Sequence, residues 1–227
     1  LQAPFREPAL SNAAGPAAPC SLRFSGFSIS AESGPAIELS CSVASVTLAG
    51  LSMHSCLSSV GKANHTACVH IAASSDDTSS SVNLRDVQWW ASQGIAFLAS
   101  VPPASQSAFS AADALVYNAV GKPVLFATAS VATAETALVA GIALFGFASV
   151  SLVRLGMNQN IGSALFVDSS AVLGASVVVS RMTCRLVVAT TGACGLVATD
   201  YVAFDRAEFV LNQVEGRGGC IRWRGAG

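Results

Sequence analysis

Few residues in this chain are placed to do chemistry. All three histidines fall between positions 54 and 70, and two of them frame a pair of cysteines as His54-x-Cys56 and Cys68-x-His70. Residues two apart on a strand share a face, so these four would converge on a zinc ion if the two segments lay side by side in register. The H-x-C…C-x-H spacing is uncommon for structural zinc, and the expectation is that neither a metal nor another cofactor is bound. Seven cysteines (Cys20, Cys41, Cys56, Cys68, Cys184, Cys194 and Cys220) leave an odd thiol. The 56/68 and 184/194 spacings suit loop-closing disulfides in an oxidising compartment. Small apolar cysteines that fill an interior are an equal reading. Asn64-His65-Thr66 is a sequon, which makes Asn64 a glycosylation candidate in a eukaryotic secretory route.

The carboxylates are dispersed. Asp76 and Asp77 lie in the Ser74–Ser81 run, which reads as a solvated loop, since calcium needs six or more oxygens. Asp86, Asp113, Asp168, Asp200 and Asp205 are scattered, and Asp200 with Asp205 beside Tyr201 is the best acidic pair. A polysaccharide lyase needs clustered acids and a basic residue, and a hydrolase needs two carboxylates facing one groove. No Ser-His-Asp motif is present, so no catalytic residue is assigned. Net charge is −1, which gives no electrostatic case for nucleic acid or an anionic membrane. Arg217, Arg222 and Arg224 around Trp223 read as a solvated face.

The elements that would position these residues follow from composition and repetition. Of 227 residues, 11% are charged and 52% hydrophobic, and mean hydropathy is +0.56. That excludes wholesale disorder and suits a fold burying one side of many strands. Short alternating runs recur as Ser45-Val46-Thr47-Leu48, Ser81-Val82-Asn83-Leu84, Ser149-Val150-Ser151-Leu152 and Ser176-Val177-Val178-Val179. Their period of two and their residue types predict strands. Starts near 21, 45, 81, 149, 176 and 206 predict stacked coils with loops of varying length. Downstream stand apolar-x-x-polar corners and glycines: Phe27 to Ser30 with Gly34, Leu115 to Asn118 with Gly121, Leu155 to Asn158 with Gly162, and Phe209 to Asn212 with Gly218 and Gly219. Asn and Gly tolerate the left-handed backbone that corners need, and stacked Asn can satisfy backbone groups inside a coil.

Phe209-x-x-Asn212 followed by Gly218-Gly219-Cys220-Ile221 resembles the F-x-x-N / G-G-A-I repeat of the polymorphic outer membrane proteins, adhesin-like surface proteins. The Leu115 and Leu155 copies carry Leu in place of Phe. The resemblance spans Ser21 to the end. It implies an all-β, right-handed parallel β-helix, a pectin-lyase-like solenoid, serving adhesion at a cell surface, and it transfers no catalytic residue.

Residues 1–20, with four prolines, read as a linker or N-terminal cap, and 21–227 as about seven coils of a segment from a longer protein. At roughly 4.8 Å per coil the stack is on the order of 35 Å long. Trp89 and Trp90 are placed at a corner. Thr136–Val153, eighteen uncharged residues, reaches the length of a transmembrane candidate, but its end matches the strand pattern, and consecutive buried strands are expected. The predicted function is a non-catalytic, extracellular or cell-surface module. Loops Ser74–Ser81 and Pro102–Gln106 would contact a host or cell-surface glycan or protein. The alternatives are polysaccharide binding or cleavage and, third, a membrane protein with a helix at 136–153.

Overall fold

A computed structural model describes residues 20–30, 35–42, 44–56, 67–74, 79–126, 135–216 and 219–225. The described residues form strands and one 3-10 turn, Pro103–Ser105, with no α-helix among them. The first of two long sheets runs β1 (Cys20–Ser25), β4 (Ala44–His54), β6 (Ser81–Trp90), β8 (Ala108–Tyr117), β11 (Ser149–Asn158), β13 (Ser176–Ser180), β17 (Tyr201–Asp205). The second runs β3 (Ile37–Cys41), β5 (Ala67–Ala73), β7 (Ile95–Ser100), β10 (Glu135–Phe145), β12 (Ser163–Asp168), β16 (Gly195–Ala198), β20 (Ile221–Arg224). The chain alternates between them, and each return adds a parallel strand beside the previous one. A short third ladder pairs β15 (Val188–Ala189) with β19 (Gln213–Val214) and continues through single bridges Gln93 to Val120 to Ile161 to Val188.

The alternating runs explain the first sheet. Leu22, Val46, Val82, Phe109, Val150, Val177 and Val202 stand in one register row, pointing inward. Ser21, Ser45, Ser81, Ala108, Ser149, Ser176 and Tyr201 form the row beside them, so the last strand begins at 201 rather than near 206. Each Val or Leu taken wholly from water contributes roughly 1.5–3 kcal/mol, and the row repeats a gain of this kind at its inner rungs, from Val46 to Val177, while Leu22 and Val202 at its ends are partly buried. Cys20, read as the end of the linker, already pairs with Ala44 as the first residue of β1.

Two columns of left-handed residues shape each circuit. Gly26, Gly50, Asp86, Asp113, Arg154, Arg181 and Arg206, with φ from 51° to 72°, crease the first sheet halfway along its strands. Ser55, Ala91, Asn118, Gln159, Leu186 and Leu211, with φ from 51° to 54°, turn the chain out of it. From Ser55 to Leu186 each donates its N–H to the next circuit's carbonyl, as Asn118 does to Asn158 at 3.0 Å.

The next residue inward holds the corner asparagine. Asn212 Oδ1 accepts from the Val187 N–H at 3.0 Å, and its Nδ2 donates to the Cys184 carbonyl at 2.9 Å. Asn160 makes the same pair of bonds to the Ala119 N–H at 2.9 Å and the Val116 carbonyl at 3.3 Å. Asn118 and Asn158 are therefore not the equivalents of Asn212. Phe209 is in register with Cys184, Met157, Val116 and Trp89, which aligns Asn212 with Asn160 and Ala119. Asn118 is the exposed left-handed residue, and Asn158 lies on the outer row beside Tyr117 and Arg185. The reason is a slip of one or two positions, which a pattern of apolar residues cannot register but a hydrogen-bond ladder can. Gly162 (φ 120°) follows this corner, and a Cβ there would come within 3.1 Å of the Leu138 carbonyl oxygen. Gly219 (φ 51°) faces open space, and Gly218 lies outside the described residues.

The Thr136–Val153 run forms β10 and the start of β11, separated by a turn at Gly146 (φ 77°), which replaces the helical alternative. No described helix is long and apolar enough to cross a membrane. Its unbroken hydrophobicity has a packing cause. β9 (Lys122–Phe126) pairs antiparallel with β10, and outside the second sheet Ile95, Val139, Ala143, Phe166 and Leu196 pack with Leu98, Val124 and Phe145 as a second cluster. Strands buried on both faces read as continuous apolar runs.

Disulfides join Cys20 to Cys41 and Cys56 to Cys68, while Cys184, Cys194 and Cys220 are free. The chain-entropy model gives links of these separations, 21 and 12 residues, about 3 kcal/mol each. The free thiols gather around Asn212, whose Nδ2 lies 3.3 Å from Cys194 Sγ. A hydrogen bond with Cys184, reinforced by burial, pushes the Cys194 thiol well up. Burial, then Cys194, pushes Cys220 up. Thiol titration of the unreduced, denatured chain is expected to find three groups, and seven after reduction. In the native state at neutral pH, alkylation of Cys194 is expected to be slow. Rapid labelling would show that the corner opens.

Candidate functional site

The crease of the first sheet leaves an open cavity of about 380 Å³ at its first rungs, with Gly26, Phe27, Gly50, Ser52, Asp86 and Gln88 in its lining. Left-handed backbone makes the crease, and glycine leaves it empty. A Cβ on Gly26 would meet nothing within 4 Å, and one on Gly50 would meet only the Gly26 backbone at 3.6 Å. The left-handed residue also resets strand alternation, so that Arg85 and Asp86 both face outward before Val87 turns in. Phe27 is 40% exposed beside this opening.

Beyond the crease two outward rows run across the rungs. The first is Ser28, Ser52, Gln88, Leu115, Gly156, Thr183 and Glu208. The second is Ser30, His54, Trp90, Tyr117, Asn158, Arg185 and Val210. Its three aromatic members touch in sequence. His54 and Trp90 are nearly parallel with centroids 6.4 Å apart, and Trp90 and Tyr117 lie 5.0 Å apart, tilted 49°. Ser52 Oγ and His54 Nε2 are 2.8 Å apart and tie the ring row to the cavity. Together these rows offer apolar ring surface next to a carboxylate, an amide and two hydroxyls.

Farther along the crease, Arg154 forms a two-pronged ion pair with Asp113. That hydrogen bond holds the Asp113 carboxyl below the usual carboxylate range. Asp86 and Asp113 occupy neighbouring positions in the crease column, because Arg85 pairs with Ala112 and Val87 with Ala114.

The weak zinc candidates do not assemble. Cys56 and Cys68 are consumed in one disulfide. His54 lies on the first sheet's outer row against Trp90, while His70 is on β5, 3.8 Å from Glu38. The left-handed Ser55 is the reason, since it ends the alternation that would put His54 and Cys56 on one face. Among the described residues no group of three His, Cys, Asp or Glu is placed to hold a metal. Asp200 accepts from the Gly174 N–H at 2.6 Å, and Asp205 stands at the other end of β17 beside Ser180 and Arg206. The Pro102–Gln106 loop contains the 3-10 turn Pro103–Ser105, closed by Ser105 Oγ on the Pro102 carbonyl at 2.6 Å. Asn64, Asp76, Asp77 and Arg217 lie outside the described residues.

The ring row was missed in the sequence because its members are separated by loops of unequal length. One signal was available: Trp90 follows His54 by the same interval that separates Ser81 from Ser45. Comparison with protein-family models, curated proteins and solved structures found no match to this chain.

Proposed function

We propose that the chain is a right-handed parallel β-helix acting as a non-catalytic, adhesive module of a secreted or cell-surface protein. The observation that carries this reading is the pair of seven-strand parallel ladders visited alternately by the chain. Such a scaffold holds loops and outer rows at fixed intervals, which suits display better than catalysis by moving parts. The likeness of Phe209–Ile221 to polymorphic outer membrane protein repeats points the same way. The two disulfides suit an oxidising, extracellular setting. The partner is a glycan or protein of a cell surface.

Cleavage of a polysaccharide is the second reading, favoured by Asp86 and Asp113 standing side by side in the crease. A hydrolase of this kind needs one carboxyl kept protonated as general acid. Asp113, held ionised by Arg154, could serve only as the other carboxylate of such a pair, and Arg154 already engages both of its oxygens, so the arrangement favours binding.

Beads coated with the purified chain are expected to attach to cultured cells more than albumin-coated beads do. Equal attachment would overturn the adhesive reading.

A further inference from the structure

We infer that the cavity at Gly26, Gly50 and Asp86, continued by the His54–Trp90–Tyr117 ring row, is a binding site for an uncharged oligosaccharide. The inference rests on the adhesive reading and names its ligand class. Four observations lead to it. The aromatic rings lie on the outer row, half-buried or exposed, and they touch each other across successive rungs. Rungs about 4.8 Å apart present apolar surface in steps similar to the advance of an extended sugar chain. Hydrogen-bonding side chains line one edge of the row, with Ser28, Ser52 and Gln88 on the adjacent strand positions and Asp86 at the crease. The cavity floor is backbone without Cβ, which leaves room for a ring beside Phe27.

This combination matches a pyranose. Its C–H face packs on aromatic surface, and its hydroxyls donate to a carboxylate and exchange bonds with an amide. Other ligands fit less well. A peptide adding as a strand needs a free sheet edge, and the ring row lies inside the sheet, with the His54 end of β4 between Ser28–Ser30 and β6, and β6 between β4 and β8. A nucleic acid or a uronate chain would bring negative charge to Asp86, with no cation in the cavity lining.

The test is calorimetric titration of the whole chain with neutral β-linked hexose and N-acetylhexosamine oligomers, and with oligogalacturonate and heparin fragments of equal length. Saturable binding of at least one neutral series is expected. Trp90→Ala is expected to weaken it about tenfold or more, as loss of a central aromatic anchor does, and Asp86→Asn to weaken it with no gain for the acidic chains. Thr47→Ala, outward on the far side of the crease, should leave it unchanged. Circular dichroism of each variant should match the parent, because all three side chains point outward.

No binding of any neutral series by folded protein overturns the site, as does binding indifferent to Trp90→Ala or stronger binding of acidic chains. If coated beads still attach to cells in that event, the adhesive reading stands and only the sugar site fails. If neither beads nor sugars bind, both fail.

Discussion

Replacement of Trp89 by alanine is expected to lower the unfolding free energy by about 3–5 kcal/mol, the usual range for removing a buried aromatic ring. Trp89 is fully buried and lies edge-on to Phe97, with centroids 6.2 Å apart. Phe97 meets Phe109 at 5.5 Å, and Phe109 meets Phe147 at 5.7 Å, so the indole begins a chain of rings linking the two sheets. Little around it can collapse into the space left behind, because the neighbouring positions are held in ladder register. Urea denaturation followed by circular dichroism measures the change. Trp89→Phe is the informative partner. It keeps most of the volume and removes an indole N–H that finds no acceptor among the described residues, a group whose burial costs about 1–3 kcal/mol. Its loss of stability is expected to be the smaller. An alanine variant within 1 kcal/mol of the parent would show that the indole is outside the core.

Gly141→Ala is expected to be as damaging, about 3 kcal/mol or more, by the opposite route of overpacking. A Cβ at Gly141 would stand 1.8 Å from the Ala164 carbonyl oxygen and 2.9 Å from the Met157 methyl. The methionine can move aside, but the carbonyl belongs to β12, whose register against β10 shifts between Val139 and Ile142. Relief would require the bulge to open and β10 to slide, disturbing the cluster outside the second sheet. The expected result is a large fall in the urea midpoint, or loss of soluble protein, with Ala140→Gly as a milder control at the next residue. Parent-like stability would mean that β10 has no close neighbour at this point.

How much of this was legible beforehand depends on which regularity one follows. Ser45-Val46-Thr47-Leu48 and its relatives announced strands, and their spacing announced stacking, because period-two alternation and recurrence survive loops of unequal length. The corner asparagines were harder. Asn158 and Asn160 are both polar residues near the end of a strand, and only the bonds to Ala119 and Val116 show which one faces in. The left-handed column was hidden because it is occupied by Asp and Arg as well as Gly, and lattice-like stacking rather than residue type holds it there. Trp89 and Trp90 are adjacent aromatics, and sequence could not say that one would anchor the core and the other the outer row. The hairpin of β9 and β10 was concealed by hydrophobicity. β10 is apolar on both sides, which erases the alternation.

The parallel ladders also make the molecule mechanically directional. Backbone hydrogen bonds link β1 through to β17 in one sheet and β3 through to β20 in the other. A pull that separates the outermost strands stretches those bonds lengthwise and opens one rung at a time, as a zipper opens. A pull parallel to the strands loads all the bonds of a rung at once, in shear. Tension from a tethered partner would therefore meet one compliant direction and one resistant one. Covalent Cys20–Cys41 and Cys56–Cys68 links lie in the first circuits, where unzipping from that side would begin.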